Sequence, residues 1–421
     1  MMSRRAIQHA IPAGMFTSHE TSAHTEVTRR EAPLADAFDR LAEEGTAPLV
    51  MTGCLERWPL ASELWKAGTP TAQIAVLERL IGHRKLHYTT IAPEQRGHLG
   101  YAADGTGTNF TFTSGGKVPF SQFAAALRAT LAGPQGGAVY MQSAPLGGFP
   151  ELLPQVPDLP YLAGGAEGYR QLWIGSGGHV VNLHFDPTHN LIAMLTGRKR
   201  VTLVPPDNMA SMYPAPLDCR LGDAIGSQVT LLAPDVQKFP RAPGELAKAQ
   251  VATLEPGDVL YIPPMWWHHV ESFGLNVMLN KWVLPVSATR FTDITANIVR
   301  GILIFDDIPA IVRLRYRDFY HATLFASDAP PPAPPAVEDP ATARLLQPVH
   351  RHVLDTWRVL RGVPPSLRTR LPQLYDYYVF QVDGPPALST TSPTGFRRKL
   401  RLYAAVVGAM RAVRSLGRRA D

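Results

Sequence analysis

The chain contains little cysteine. Cys54 and Cys219 are the only two cysteines among its 421 residues. Two cysteines are too few for a disulfide framework or for a cysteine-rich zinc site, and such a low count is typical of a reducing compartment. We therefore expect a cytoplasmic protein that does not depend on disulfide bonds.

Long apolar runs are also missing. No stretch of about 18 apolar residues occurs, so the sequence predicts no membrane-spanning helix. The start of the chain has Arg4 and Arg5 but no apolar segment after them, which predicts no secretory signal. The hydrophobic fraction of 45% and the charged fraction of 18% are ordinary for a globular protein and exclude global disorder.

Most of the chain lacks an excess of one charge. The net charge is +6, but eight basic residues and one acidic residue lie between Phe396 and Asp421, so the remainder is close to neutral. The same segment places Leu400, Tyr403 and Val407 on one face of a predicted helix. We favour packing of this face on the body or on a second copy of the chain. Contact of the arginines with nucleic acid or another anionic surface stays open.

Glycine and proline, by contrast, are frequent, with 34 and 39 residues. Between residues 138 and 285 they separate short runs that are rich in β-forming residues. Many short strands with such turn signals are typical of an antiparallel sandwich or jelly roll. The predicted strands are Val139–Gln142, Tyr169–Ile174, His179–Phe185, Leu191–Leu195, Arg200–Val204, Val259–Ile262, Trp267–Ser272 and Asn276–Val283.

These patterns divide the chain into three regions. Residues 1–30 are expected to form a partly ordered arm, and residues 31–290 a central domain that begins with α/β elements. In those elements, helices are predicted over 33–44, 70–81 and 122–131. Residues 291–421 are predicted to be helical, with a proline-rich loop at 329–340. The fold class is therefore mainly β with helical additions: a jelly-roll core, N-terminal α/β elements and C-terminal helices.

Two histidines and an aspartate give the strongest chemical signal. His184 and Asp186 are two residues apart in a predicted strand, so both side chains project to the same face. His268 lies in a second predicted strand, 84 residues further along the chain. Two histidines and one carboxylate on one face of a metal leave positions open for other ligands, which suits Fe(II) and oxygen chemistry. The His-x-Asp pair alone is a weak signal, because such pairs more often form a hydrogen-bonded strand end.

The residues around these side chains resemble JmjC-type cupin oxygenases. The segment Gly257–Val270 is similar to the second metal-ligand region of that family, and Leu183–Asp186, Asn190 and the turn Gly197–Arg200 are similar to the first. The likeness is greatest to the hydroxylase branch, around the asparaginyl hydroxylase that inhibits the hypoxia-inducible factor. It is sharp over residues 138–285 and faint before them. The resemblance implies a double-stranded β-helix fold of the cupin type, Fe(II), 2-oxoglutarate and O2.

The resemblance also implies roles for individual residues. It assigns three iron ligands, two contacts to the far carboxylate of 2-oxoglutarate, two asparagines that line the cofactor pocket and two residues near the substrate. In that order they are His184, Asp186 and His268; Lys199 and Tyr140; Asn190 and Asn280; and Gln142 and Trp282.

One position departs from the family pattern. Three residues before His184, where the family often has a threonine that contacts 2-oxoglutarate, this chain has Val181. Either Tyr140 and Lys199 suffice for binding, or another hydroxyl replaces the missing one. Lys199 could also be an exposed lysine in a basic turn. We favour the binding role, because a dicarboxylate needs a cation at its far end.

The neighbouring aromatic and histidine residues are expected to be structural. His269 should face away from the metal. His179 and His189 are expected near solvent, with His189 at most at the edge of a substrate cleft. Trp266 and Trp267 are expected to pack the barrel.

Together these observations predict an Fe(II)- and 2-oxoglutarate-dependent dioxygenase that hydroxylates a carbon centre and releases succinate and CO2. The resemblance favours an amino-acid side chain in a protein or peptide, and a homodimer through the C-terminal helices. A small-molecule substrate and N-demethylation stay open. A different interpretation is a metal-binding cupin that serves as a scaffold or binding protein without 2-oxoglutarate chemistry.

Overall fold

The computed structural model describes residues 24–44, 47–100, 113–133, 137–162, 169–215, 224–231 and 233–283, together with residues 312, 315–317 and 320. The proline-rich loop at 329–340, the basic segment from residue 396 and Cys219 lie outside this part of the chain. Within it, no helix is both long and apolar enough to cross a membrane.

Five α-helices lie among the described residues up to 283, and they precede or interrupt the β structure. They are α1 (Ala35–Glu44), α2 (Pro59–Ala67), α3 (Pro70–Ile81), α4 (Phe120–Ala132) and α5 (Ala242–Leu246). The predictions for α1, α3 and α4 are confirmed, whereas α2 and α5 were not predicted. Helix α3 begins where the sequence indicates, since the Thr69 hydroxyl accepts a hydrogen bond from the Ala72 amide at 3.3 Å and Pro70 occupies the first turn.

Sixteen β-strands follow the chain order β1 to β16. They are Thr25–Glu26, Arg29–Glu31, Leu49–Thr52, Lys85–Leu86, Thr89–Ile91, His98–Leu99, Thr113–Ser114, Val118–Pro119, Ala138–Pro145, Tyr169–Gly175, Val180–Phe185, His189–Val204, Ile225–Gly226, Gln250–Leu254, Val259–Ile262 and Trp267–Val283. Fourteen of them form one hydrogen-bonded network, and β4 pairs with β8 separately. The pairing is antiparallel except for β1 with β14, β2 with β3 and β6 with β11. The predicted jelly-roll core is confirmed.

Two long strands, β12 and β16, pair with each other and connect the two layers of the core. The first half of β12 pairs with β15, whereas its second half pairs with β14. In the same way, the first half of β16 pairs with β11 and its second half with β10. Each long strand therefore changes its outer neighbour halfway along. This change of neighbours turns one continuous network into two facing layers.

Bulges at glycines allow both long strands to bend. Gly197 in β12 has φ 80°, and Gly274 in β16 has φ 68°. A Cβ atom at Gly197 would lie 2.5 Å from the Leu275 carbonyl oxygen, so no other residue fits there without a shift. The sequence predicted strand breaks at both places. That prediction is wrong, because each glycine bends a strand that continues.

The core has an outer and an inner apolar part. One layer of the core contains β10, β15 and the adjoining halves of β12 and β16. The outer apolar part lies between this layer and the helices α1 to α4. The inner part lies between the two layers and includes Ile192, Met194, Val201 and Met278. Alternate residues of β12 therefore contribute to different sides. Polar side chains that project into the inner space are enclosed by protein.

Candidate metal centre

Strands β11 and β16 bring the three predicted ligands together. His184 in β11 and His268 in β16 are opposite each other in the antiparallel pair, and their ring centroids are 4.1 Å apart. Asp186 follows β11, and its Oδ2 atom lies 3.7 Å from Nε2 of His268. Ligand atoms of the three side chains all lie within 4.8 Å of one another. The two-histidine, one-carboxylate group predicted from the sequence is therefore assembled in the fold.

Both histidines are oriented by backbone carbonyl groups. Nδ1 of His184 lies 2.7 Å from the Asn182 carbonyl oxygen, and Nδ1 of His268 lies 3.0 Å from the Trp266 carbonyl oxygen. In this arrangement Nδ1 carries the proton and donates a hydrogen bond to the carbonyl oxygen, which leaves the lone pair of Nε2 for a metal. Burial, together with the neighbouring His184, lowers the pKa of His268 well below its usual range. His268 is therefore neutral, as a metal ligand must be.

The carboxylate of Asp186 is held at one of its two oxygens. Its Oδ2 atom accepts hydrogen bonds from the Trp282 indole N–H at 3.1 Å and from the Asn190 side-chain amide at 3.2 Å. Asn280 in turn donates to Asn190, and Trp173 donates to Asn280. Burial raises the pKa of Asp186, and these donors oppose the rise. The network holds the carboxylate in place beside the two histidines.

The loop before His268 is tied to the aspartate. Met265 has φ 66°, a strained conformation for a non-glycine residue, and its amide donates to the Asp186 carbonyl oxygen at 2.8 Å. This bond connects the two chain segments that carry the ligands. Two ligand atoms on one ion at about 2.1 Å lie roughly 3 to 4 Å apart, so the 3.7 Å between His268 and Asp186 suits a shared cation. The donor set fits Fe(II).

Lys199 lies in the interior of the core and is only 1% exposed. Its ammonium donates to the Ser272 hydroxyl at 2.6 Å and lies 5.9 Å from the centroid of the Tyr140 ring. In the described part of the chain, no acidic side chain forms an ion pair with it, and burial lowers its pKa to about 7. The alternative that Lys199 is an exposed lysine in a basic turn is therefore wrong. A buried ammonium without an anionic partner is costly, so this position suits an anionic ligand.

The other predicted site residues have contacts of their own. Gln142 donates to the Thr89 hydroxyl at 2.8 Å. Trp173 and Trp282 lie at 88° to each other, with ring centroids 6.1 Å apart. Ser272 and Trp173 were not recognised in the sequence, because an ordinary serine and tryptophan carry no motif. Their roles depend on pairing with distant strands.

Two expectations about histidines are wrong. His179 and His189 were expected near solvent, but both are buried. Nδ1 of His189 lies 3.0 Å from the Tyr261 hydroxyl, and burial lowers the pKa of His189 to about 4. His179 is stacked on Tyr140 in the interior. Sequence patterns could not show this, because the residues that cover both rings come from other strands.

Comparison with known proteins assigns the family. Residues 35–287, more than half of the chain, match the model of the cupin-like domain. The chain belongs to this family. The predicted JmjC-type cupin relationship is confirmed, and enzymes of the JmjC class use Fe(II), 2-oxoglutarate and O2. The match covers every strand that carries a candidate ligand.

Curated relatives match over a shorter part. The chain is 40% identical over 111 residues to lysine-specific demethylase JMJ31 of Arabidopsis thaliana, which is 26% of this chain and 20% of the relative. It is 36% identical over 114 residues to HSPB1-associated protein 1 of Rattus norvegicus, 27% of this chain and 23% of the relative. It is 35% identical over 130 residues to lysine-specific demethylase 8 of Danio rerio, which is 30% of this chain and 31% of the relative. The chain thus spans at most a third of the length of these relatives.

The Trp282 contact gives a testable prediction for this cupin-like domain. We expect Trp282→Phe to lower Fe(II) affinity about 10- to 100-fold, because Asp186 loses an indole donor while the aromatic ring remains. The dissociation constant of Fe(II), measured anaerobically, checks this. Trp173→Phe is the matched control. It removes an indole N–H that contacts Asn280 and not the carboxylate, so its effect should be smaller. Equal effects would contradict the direct role of Trp282.

Proposed function

We propose that this protein is an Fe(II)- and 2-oxoglutarate-dependent oxygenase that hydroxylates a carbon centre, most favourably in an amino-acid side chain of a protein or peptide. The observation that carries the proposal is the convergence of His184, Asp186 and His268 in the same interior that contains the buried Lys199. A metal-binding scaffold would not need a buried ammonium without an acidic partner, because burying it is costly unless an anionic ligand binds. A dicarboxylate co-substrate accounts for both features.

In this proposal the chain itself holds and orients the reactants. Nε2 of His184 and His268 and a carboxylate oxygen of Asp186 would bind the metal, since Nδ1 of each histidine is engaged with a backbone carbonyl. Bound Fe(II), with 2-oxoglutarate and O2, supplies oxidation of a C–H bond and yields succinate and CO2. Lys199 would hold the far carboxylate of the co-substrate, beside Tyr140. The inner apolar residues exclude water from this space.

Predicted contacts of the asparagines and of Gln142 stay part of the proposal. Asn190 and Asn280 would support the pocket through the carboxylate of Asp186, which they reach directly or through one another. Gln142 and Trp282 are only half-buried, as side chains that face a substrate can be. The proposed homodimer through the C-terminal helices concerns residues 291–421, of which the structure describes only 312, 315–317 and 320.

A second candidate is N-demethylation. Two curated relatives are named as lysine-specific demethylases, and the perpendicular indoles of Trp173 and Trp282 stand beside the metal ligands. Aromatic faces attract methylated ammonium groups. Demethylation begins with the same hydroxylation of carbon, so the ligand set does not distinguish the two.

One experiment separates these alternatives. The protein is incubated with Fe(II), 2-oxoglutarate and candidate peptides, while succinate and peptide masses are measured. Hydroxylation adds about 16 Da, whereas demethylation removes about 14 Da per methyl group and releases formaldehyde. Succinate formation above a metal-free control supports oxygenase activity even without the true substrate. Metal binding with no binding of 2-oxoglutarate would favour the scaffold interpretation.

The lowered pKa of Lys199 gives a pH prediction. Burial lowers the pKa to about 7 in the ligand-free protein, and a bound carboxylate would raise it by stabilising the ammonium. Above pH 7, binding must therefore be accompanied by proton uptake. We expect 2-oxoglutarate affinity to fall by up to about tenfold per pH unit above about pH 7. Calorimetric titration of the metal-loaded protein at several pH values checks this.

Lys199→Arg is the control for this pH dependence. A guanidinium stays protonated throughout the range, so any residual binding should not decline in the same way. A flat affinity profile in the wild-type protein would show that Lys199 is already fully charged before the ligand binds.

A further inference from the structure

The interior contains a buried histidine apart from the metal ligands. His179 is 0% exposed, and its ring is stacked on that of Tyr140, with centroids 3.9 Å apart and an angle of 28° between the planes. The stacked pair is closely confined. A Cβ atom at Gly175 would lie 2.5 Å from Cε1 of His179 and 2.9 Å from Cδ2 of Tyr140. Only glycine at this position leaves room for both rings.

Neither ring nitrogen of His179 has a hydrogen-bond partner among the described residues. Burial, reinforced by the charge of Lys199, lowers the pKa of His179 well below its usual range. The nearby Gly177 backbone opposes this shift, but it does not meet the geometry of a hydrogen bond to either ring nitrogen. The ring is therefore neutral and has one N–H to donate. A buried polar group that remains unpaired is unfavourable, and native proteins usually supply a partner. A bound ligand is such a partner.

The backbone places this ring next to the proposed carboxylate site. The Ser272 amide donates to the His179 carbonyl oxygen at 3.0 Å, and the Gly178 amide donates to the Ser272 carbonyl oxygen at 2.8 Å. Ser272 is also the residue whose hydroxyl contacts the Lys199 ammonium. His179, Tyr140, Ser272 and Lys199 therefore meet at one end of the interior, and all four are buried.

His179 also lies near the position that departs from the family pattern. It directly precedes β11, and Val181 is the second residue of that strand. Val181 packs against the cluster that contains Tyr140, the ring on which His179 is stacked. Val181 has no polar group to offer a carboxylate. His179, which contacts the same tyrosine, can donate a hydrogen bond.

We propose that His179 is a co-substrate-binding residue that donates a hydrogen bond to the far carboxylate of 2-oxoglutarate, in place of the hydroxyl missing at Val181. This inference rests on the proposed function. Lys199 would supply the charge, and the neutral imidazole would supply a directed donor. The stack on Tyr140 holds the ring in position before the ligand arrives, which reduces the entropy lost on binding.

The test compares His179→Phe with His179→Gln in the full chain. Phenylalanine keeps a planar ring on Tyr140 but has no N–H, whereas glutamine keeps a donor. Binding of 2-oxoglutarate to the Mn(II)-loaded protein is measured by anaerobic calorimetry, so the readout does not depend on turnover. We expect His179→Phe to weaken binding about 10- to 100-fold, the effect of one hydrogen bond to a charged group. His179→Gln should retain most of the affinity.

Two further measurements separate a binding role from a structural one. The first uses 2-oxopentanoate, which has the same chain length but lacks the far carboxylate. Its affinity should not change in His179→Phe. The second adds Val181→Thr to His179→Phe, which should recover part of the lost affinity by restoring a hydroxyl beside Tyr140.

The outcomes are distinguishable. Equal losses for both acids, or no loss for 2-oxoglutarate in a folded His179→Phe protein, would overturn the role of His179. If that variant does not fold, unchanged binding in the Val181→Thr single variant and weakened binding in His179→Gln would overturn it as well. The proposed function stands in these cases, provided that the wild-type protein binds 2-oxoglutarate. It fails if the wild-type protein binds Mn(II) but neither acid.

Discussion

Replacing His184 with alanine is expected to remove both metal binding and succinate formation. His184 is one of three side chains whose ligand atoms lie within 4.8 Å of one another. Loss of a group that only orients a ligand costs about 10- to 100-fold in metal affinity, so loss of a ligand should exceed about 100-fold. Metal content after dialysis and succinate formation at saturating 2-oxoglutarate check the two effects.

His87→Ala is the matched control for this substitution. His87 is exposed, its Nδ1 atom lies 3.1 Å from the Gly115 carbonyl oxygen, and it is not part of the ligand group. Metal content and turnover should stay at wild-type values. Turnover that persists in His184→Ala would count against the whole assignment, because the remaining His268 and Asp186 do not make a facial triad.

The second large effect is expected for Lys199→Met. One lysine–carboxylate contact at about 4 Å is worth at most roughly 4 kcal/mol at an effective dielectric constant of 20, which is about three orders of magnitude in the dissociation constant. We expect at least about a 100-fold loss of 2-oxoglutarate affinity, with Fe(II) affinity unchanged. Thermal stability should hold or rise, because a buried ammonium without an acidic partner is removed.

A second buried lysine provides the control. Lys281 donates to the Asp158 carboxylate and to the carbonyl oxygens of Leu159 and Tyr161, each at 3.1 Å. Lys281→Met should therefore lower thermal stability, since two carbonyl groups lose their donor. Its 2-oxoglutarate affinity should not change. If Lys199→Met behaves like Lys281→Met, with lower stability and normal affinity, then Lys199 is structural.

The sequence predicted the chemistry of the site better than its surroundings. The spacing of His184 and Asp186 predicted that both side chains lie on one side, and in the structure their ligand atoms lie within 4.8 Å of each other although Asp186 follows the last residue of β11. The sequence did not predict the burial of His179, which follows the segment Gly175–Gly178 and was expected near solvent. Ser272 of β16 forms hydrogen bonds with the backbone of Gly178 and His179, and the Tyr140 ring from β9 stacks on the imidazole. No local pattern contains this information.

The β-bulges were the other feature of the fold that the sequence did not predict. Val181 and His184 are three residues apart, so a regular strand would put them on opposite sides. The register of β11 against β16 shifts between these two residues, so their partners Val270 and His268 are only two residues apart in β16. The bulges near Gly197 and Gly274 similarly keep β12 and β16 continuous where the sequence predicted turns. A bulge depends on which strand pairs with which, so it is invisible in a single strand.

By itself the sequence determined the ligand types, their order along the chain and the alternation that makes a β-rich core, because these follow from residue chemistry and from the period of a strand. Only the tertiary structure decided that Trp282, 96 residues from Asp186, orients its carboxylate, and that Lys199 and His179 are buried together. Hydrogen bonds and burial of this kind are set by strands that meet from distant parts of the chain. These side chains come close to one another only after β12 and β16 have bent and paired.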